Sequence, residues 1–132
     1  MARNKITAIK IKIKNGVATT KMAFSHPMMT YNQAKTKTGN SDDANFITHI
    51  TGKVGTEVVL DVSTSQFFSK NPIFKYHFKC DSFKIGKKLS GRELDNGVTR
   101  KDSQIGDLLT ITAIDRKGNI YEKSVELAAR KR

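Results

Sequence analysis

The chain has 132 residues and carries 24 lysine and arginine side chains against 12 aspartate and glutamate side chains, a formal net charge of +12. Its length predicts a single domain, residues 1–132, with one core. A single cysteine, Cys80, excludes an internal disulfide and a multi-cysteine metal site. The longest uninterrupted apolar runs, such as Val58-Val59-Leu60, are far too short for a transmembrane helix. Lysines interrupt every apolar stretch near the N-terminus that could form an export signal.

The dominant pattern along the chain is an alternation of apolar and polar residues, which is typical of β-strands. It is clearest at 6–14, where isoleucines alternate with lysines, so one face of the strand is apolar and the other is a row of ammonium groups. Lysines placed in this way favour the edge of a sheet. Asn15-Gly16 then predicts a tight hairpin turn, and His26-Pro27 predicts the end of the second strand.

Four segments depart from this alternation. Residues 30–44 are polar and show no sustained period, which predicts a long loop. Residues 63–72 indicate a turn around two phenylalanines, and the glycines of 81–105 predict an insertion. Residues 128–132 are expected to form a basic tail.

The remaining segments predict seven strands with turn signals between most of them and no convincing amphipathic helix. This pattern indicates an all-β fold, an immunoglobulin-like β-sandwich of about seven strands. The predicted strands are 6–14, 17–26, 45–52, 56–63, 73–80, 107–115 and 119–127.

Candidate metal ligands are few. His26, Met28 and Met29 lie close together in the sequence, and imidazole and thioether groups are copper ligands. A periplasmic copper-binding sandwich is therefore one alternative function. The other two histidines, His49 and His77, lie within predicted strands, where an ordinary hydrogen-bonded histidine explains them, and we expect no metal site and no cofactor.

No catalytic constellation is evident. A nucleophile needs a base within hydrogen-bond reach and a third group to orient it. Cys80 closes an apolar strand row, which favours a buried, inert thiol over a reactive one. The sequence therefore predicts a protein that is not an enzyme.

The basic residues indicate a protein partner more than a nucleic acid. A β surface that binds nucleic acid usually places aromatic side chains among its cations, because bases stack on them. The lysine faces of 6–14 and 73–80 contain no aromatic residue. We expect a solvated face or a surface matched to an acidic protein, and a basic nucleic-acid-binding module stays as a second alternative.

Three segments resemble a known family. They are AFSHPM at 23–28, TSQFFSKNPIFKYHFK at 64–79 and GDLLTITAIDRKGNIYEKSVEL at 106–127. In order and spacing they resemble the sulfur-oxidation SoxZ family, and the third contains D-x-x-G-x-x-Y at Asp115, Gly118 and Tyr121. None of these motifs is a catalytic signature.

This resemblance implies a small immunoglobulin-like subunit that forms a heterodimer with a SoxY-like carrier protein and meets other sulfur-oxidation enzymes transiently. The carrier cysteine for thiosulfate-derived sulfur would belong to SoxY, on a mobile glycine-rich arm, and the SoxZ-like subunit would support and present that arm. The resemblance also implies a periplasmic location, reached by export with a signal-bearing partner, and no contact with nucleic acid or membrane. The residues expected to bind the partner are His26, Pro27, Met28, Asn71, Pro72 and Phe74.

Overall fold

Nine β-strands and two short helices make up the computed structural model, which describes residues 4–64, 70–89 and 91–130. The turn predicted around Phe67 and Phe68 lies outside these residues. Single turns of 3₁₀ helix occur at Ser41–Asp43 and Asp102–Gln104. The strands and helices are β1 (Lys5–Lys14), β2 (Val17–Ser25), α1 (Tyr31–Thr38), β3 (Ile47–Val54), β4 (Glu57–Ser63), β5 (Ile73–Lys79), β6 (Gly86–Lys88), α2 (Gly91–Asp95), β7 (Leu108–Asp115), β8 (Ile120–Glu126) and β9 (Ala128–Arg130).

Seven of these strands form two antiparallel sheets. One sheet has the order β1-β2-β5, and the other has the order β4-β3-β7-β8. The predicted all-β immunoglobulin-like sandwich is confirmed. β1 is an edge strand, as its lysines indicated.

The predicted hairpin between β1 and β2 is present. Asn15 and Gly16 both have positive φ angles, 53° and 76°, which is the requirement of the tightest two-residue hairpin turn. The alternation along β1 and β2 then sends Met22 and Phe24 into the core, where they are 0% and 2% exposed. Val17 and Lys21, on the opposite face of β2, are exposed.

The core lies between the two sheets. The three-stranded sheet contributes Met22, Phe24, Phe74 and Phe78, and the four-stranded sheet contributes Ile47, Ile50, Leu109 and Ile111. Gly52 in β3 leaves room for the side chains of its neighbours in the same sheet, because a Cβ atom there would lie 3.0 Å from the Cβ of Leu60 in β4 and 3.1 Å from Cδ1 of Ile111 in β7.

The predicted loop at 30–44 is wrong, because this segment contains α1. Thr30 caps the helix by accepting a hydrogen bond from the Gln33 N–H at 3.1 Å, and the Gln33 side chain accepts from the Thr30 N–H at 3.0 Å. Gly39 ends it with a left-handed φ of 82°. Only Ala34 of the helix is buried, so the sequence has no periodic apolar pattern from which the helix could be predicted.

The segment at 81–105 contains β6 and α2 and connects to the chain's end. β6 pairs in parallel with β9, so three residues of the expected basic tail form a strand. Glu126 stabilises the connection, because its carboxylate accepts two hydrogen bonds from Arg100, at 2.6 and 2.7 Å, and one from the Gly106 N–H at 2.7 Å. These charge-assisted contacts anchor the segment to the end of β8.

Candidate partner-binding surface

A buried carboxylate organises one end of the sandwich. The side chain of Asp115, at the end of β7, is 0% exposed. It accepts hydrogen bonds from the Tyr121 hydroxyl, from Asn45 Nδ2 at 3.1 Å, and from Asn119 through Nδ2 at 3.1 Å and the backbone N–H at 3.0 Å. These donors satisfy a charge that would otherwise be very costly to bury.

His26, which follows β2, completes this group. Its Nδ1 accepts a hydrogen bond from the Met28 N–H at 3.0 Å, and its Nε2 lies 3.4 Å from Asp115 Oδ2. An accepting Nδ1 requires the proton to be on Nε2, so the ring is neutral and donates to the carboxylate. We call His26, Asn45, Asp115, Asn119 and Tyr121 the Asp115 cluster.

The ionisation states follow from this arrangement. Burial by itself raises the pKa of Asp115, but the hydrogen bonds from Tyr121, Asn119 and Asn45 outweigh it and hold the pKa at about 2. Burial also lowers the pKa of His26, although the contact with Asp115 opposes this. Burial and the hydrogen bond to Asp115 raise the pKa of Tyr121 to about 12. At neutral pH the cluster therefore contains one anion, Asp115, and its two other titratable groups, His26 and Tyr121, are neutral.

The two proline-containing segments meet at this end. The Asn71 N–H donates to the His26 carbonyl at 2.8 Å, and the His26 N–H donates to Asn71 Oδ1 at 3.0 Å. Met28 and Asn71 both adopt left-handed backbone, with φ angles of 48° and 52°. Such geometry is costly for methionine. The Met28 thioether accepts from the Ile47 N–H at 3.4 Å, which helps to hold it there.

Arg116 attaches α1 and the following turn to the same end. Its guanidinium donates to the Tyr31 hydroxyl at 3.0 Å and to the carbonyls of Asp42 and Ala44 at 2.9 and 3.0 Å. The guanidinium also lies over the Tyr31 ring, 5.0 Å from its centroid. One side chain therefore positions the polar segment at 30–44 against the β7–β8 turn.

The structure places the six predicted partner-binding residues at this end, in two environments. Pro27 and Asn71 are exposed. His26, Met28 and Phe74 are 1%, 2% and 4% exposed, and Pro72 is also buried. The exposed pair can contact a partner directly, whereas the buried four can only shape the surface. Partner binding by these six residues stays a prediction.

No sequence pattern pointed to two of the partners of Asp115. Asn45 and Asn119 are the first residues of two predicted strands, with no feature that marks them as hydrogen-bond donors to a buried carboxylate, and Arg116 lies in a predicted turn. The one available signal was D-x-x-G-x-x-Y, whose Asp115 and Tyr121 are hydrogen-bonded partners. Its Gly118 takes the left-handed turn position, with a φ of 85°.

The copper hypothesis does not fit these contacts. Both ring nitrogens of His26 and the sulfur of Met28 already make hydrogen bonds within the protein.

One set of exposed side chains has the composition of a catalytic triad. On the outer face of the four-stranded sheet, His49 Nε2 contacts Asp61, and Ser63 Oγ lies 3.5 Å from His49 Nδ1. That second distance is longer than a normal hydrogen bond, and the residues project from paired strands β3 and β4 with the serine exposed. The set therefore lacks the geometry that activates a serine.

The outer face of the three-stranded sheet is strongly basic. Register across β1, β2 and β5 aligns Lys10, Lys21 and Lys75 in one row. The next two rows are Lys12, Thr19 and His77, then Lys14, Val17 and Lys79. We call the six lysines of these rows the lysine face. On the same face, the row that follows Lys10, Lys21 and Lys75 on the side away from Lys12 is apolar. It consists of Ala8, Ala23 and Ile73, and Ile73 is 60% exposed.

The fold defines the class of protein first. The structure is similar to a superoxide reductase in its oxidized state, with a TM-score of 0.55 and 13% identity over 96% of this chain and 90% of the other. Superoxide reductase from Nanoarchaeum equitans gives 0.54 at 9% identity, covering 93% and 92%. Neelaredoxin from Archaeoglobus fulgidus gives 0.51 at 12% identity, covering 96% and 91%. At these identities the likeness shows a shared fold alone.

The sequence then defines the family. No curated protein sequence matches the chain. The family model described as sulphur oxidation protein SoxZ matches residues 6–103, and the chain belongs to the SoxZ family. Its role is therefore in sulfur oxidation. The match runs through most of the segment at 81–105 and ends before the D-x-x-G-x-x-Y motif, whose aspartate forms the centre of the Asp115 cluster.

Proposed function

We propose that this chain is the non-catalytic subunit of a sulfur-carrier complex, in which it binds a SoxY-like protein and presents that protein's cysteine arm to the enzymes of the pathway. The family match over residues 6–103 is the observation that carries the proposal. The Asp115 cluster supports it, because its ionisable side chains hydrogen-bond with one another inside the protein. They therefore stabilise the surface above them and do not act as catalytic groups.

The state of the single cysteine also supports a non-catalytic role. Cys80 is 1% exposed, and burial raises the pKa of its thiol, with the nearby Asp81 charge adding to the effect. A carrier thiol must be accessible and form a thiolate. The cysteine that carries sulfur therefore belongs to the partner.

A cysteine variant tests this assignment. Cys80→Ser is expected to leave sulfur loading of the complex unchanged and to cost about 1 kcal/mol of stability, because a buried hydroxyl replaces a thiol. Mass spectrometry of the complex after exposure to thiosulfate and the pathway enzymes measures the loading. Adducts found on Cys80 itself would contradict the proposal.

The partner is proposed to bind at the end held by the Asp115 cluster. Pro27 and Asn71 are exposed there, and Ile73, two residues from Asn71, presents a 60% exposed apolar side chain. His26, Met28, Pro72 and Phe74 support this surface from behind. Stable protein interfaces have an apolar centre and a polar rim, and an exposed Ile73 surrounded by polar residues fits this arrangement.

Co-expression with the SoxY-like protein encoded in the same genome tests the interaction. The heterodimer is expected to survive about 0.5 M salt during purification, where screening acts within only a few ångströms. Ile73→Asp is expected to abolish co-purification. Leu108→Asp provides the matched control, because Leu108 is 58% exposed on the other sheet, at the opposite end of β7 from Asp115. Equal recovery of both variants would reject this end as the binding site.

Location in the periplasm is part of the same proposal, by export with a signal-bearing partner. Among the residues that the structure describes, no helix has the length and apolar character to cross a membrane. Cell fractionation with and without the SoxY-like gene tests co-export. The chain should reach the periplasm only when the partner is present.

A further inference from the structure

The lysine face concentrates like charges on one surface of the three-stranded sheet. Lys10, Lys21 and Lys75 lie directly across from one another on adjacent strands, which are about 4.8 Å apart. Like charges in this position destabilise a sheet. Within the described part of the chain, none of the six lysines forms an ion pair. Because this clustering of lysines weakens the fold, it indicates that their positive charge serves a function.

The chemistry of the face indicates what it binds. Its only ring is the imidazole of His77, which hydrogen-bonds with Thr19 at 2.9 Å. Without aromatic side chains the face offers no platform on which bases can stack. A three-stranded sheet also differs from the helix or two-stranded ribbon that enters a DNA major groove.

The position of the face favours a protein partner. Its Lys10–Lys21–Lys75 row borders the apolar row that ends in Ile73, so the cations flank the proposed binding end without interruption. Charged residues around an apolar contact are the usual rim of a protein interface. Such rim charges act mainly on the rate of association, by steering the approach of an oppositely charged surface.

We propose that the lysine face receives an acidic surface of the SoxY-like partner and accelerates formation of the heterodimer. This inference rests on the proposed function and deepens it. The apolar contact at Ile73 holds the complex together, whereas the lysines determine how fast it forms. The partner surface that meets β1, β2 and β5 must then carry several aspartates or glutamates.

A competition experiment uses the complex as it forms in the cell. Wild-type chain and a variant with a different tag are co-expressed with a limiting amount of the SoxY-like protein, and mass spectrometry measures which chain is incorporated. Lys10→Glu, Lys21→Glu and Lys75→Glu are combined in the test variant. Because a tight heterodimer exchanges slowly, the incorporation ratio reports relative association rates.

The control variant combines Lys53→Glu, Arg92→Glu and Lys101→Glu. It changes the net charge equally, and its three exposed cations lie outside the lysine rows, α1 and the β7–β8 turn. Wild type is expected to outcompete the test variant by about tenfold or more, and the control variant by no more than about twofold. Circular dichroism checks the fold, and the same positions changed to glutamine give a milder second test with the same direction.

The outcomes separate the two proposals. If the wild-type chain forms no complex, both are overturned. If it forms the complex and the test variant competes as well as the control, only the role of the lysine face is overturned. If the purified heterodimer binds a duplex of about 20 base pairs at physiological salt and the test variant loses this binding, the face is a nucleic-acid site instead.

Discussion

The Asp115 cluster and the lysine face handle charge in opposite ways. In the cluster a single carboxylate is fully buried and receives hydrogen bonds from the side chains of Asn45, Asn119 and Tyr121 and from one backbone N–H, with a longer one from His26 at 3.4 Å. On the lysine face, six ammonium groups share one surface with no acidic residue in their rows.

The difference lies in the access of water. A buried charge loses its hydration and must recover it from protein donors, so removing one partner is costly. An exposed ammonium keeps its hydration, so its neighbours change stability only slightly. We therefore expect substitutions in the cluster to act on folding and substitutions on the lysine face to act on association.

The largest expected effect is that of Asp115→Ala. It leaves the Tyr121 hydroxyl and the amides of Asn45 and Asn119 without their acceptor, and should lower the free energy of unfolding by about 3–5 kcal/mol. Asp42→Ala is the control, because that side chain is 83% exposed and should cost less than about 1 kcal/mol. Urea unfolding measures both variants. Equal losses of stability would contradict the expectation that a buried carboxylate matters more to folding than an exposed one.

Acid should weaken the fold through the same cluster. The pKa of Asp115 falls from 3.8 to about 2 on folding, so its contribution is complete above about pH 5 and is lost as the pH falls toward 2. The shift corresponds to about 2 kcal/mol. His26, whose pKa is also lowered on folding, adds a loss that begins as the pH falls below 6.5.

Unfolding measured between pH 8 and 3 tests this dependence. His26→Gln should flatten the part of the profile between about pH 7 and 5 and leave the steeper loss at lower pH. If the free energy of unfolding of the wild type increased as the pH fell, the Asp115 cluster would not be the group that controls the pH dependence of stability.

The smallest expected effect is on the lysine face. Replacing Lys10, Lys21 and Lys75 with glutamine should raise the free energy of unfolding at low salt by about 0.5 kcal/mol, because it removes repulsion between adjacent strands. The gain should disappear near 0.5 M salt, where screening already removes the repulsion. Glutamine at Lys53, Arg92 and Lys101, which are exposed outside both regions, should change little. A large loss on the lysine face would mean that these side chains support the fold.

The strands could be predicted because their signal is local. Side chains alternate between two faces of a strand, so an amphipathic strand such as β1 shows its period in a few residues. The hairpin at Asn15-Gly16 is equally local, because it depends on two residues that tolerate positive φ. Helix α1 was missed because it buries only Ala34, and its caps at Thr30 and Gly39 were the remaining signal.

The sequence by itself determined the class of fold, the lysine rows of β1 and β5, and the family. Only the tertiary structure showed that β2 lies between those two strands, so that Lys21 joins their lysines on one face. It also brought His26 and Asp115, 89 residues apart, into contact. Alternation along a strand follows from local backbone geometry, whereas strand order and the pairing of buried polar groups follow from how distant segments pack.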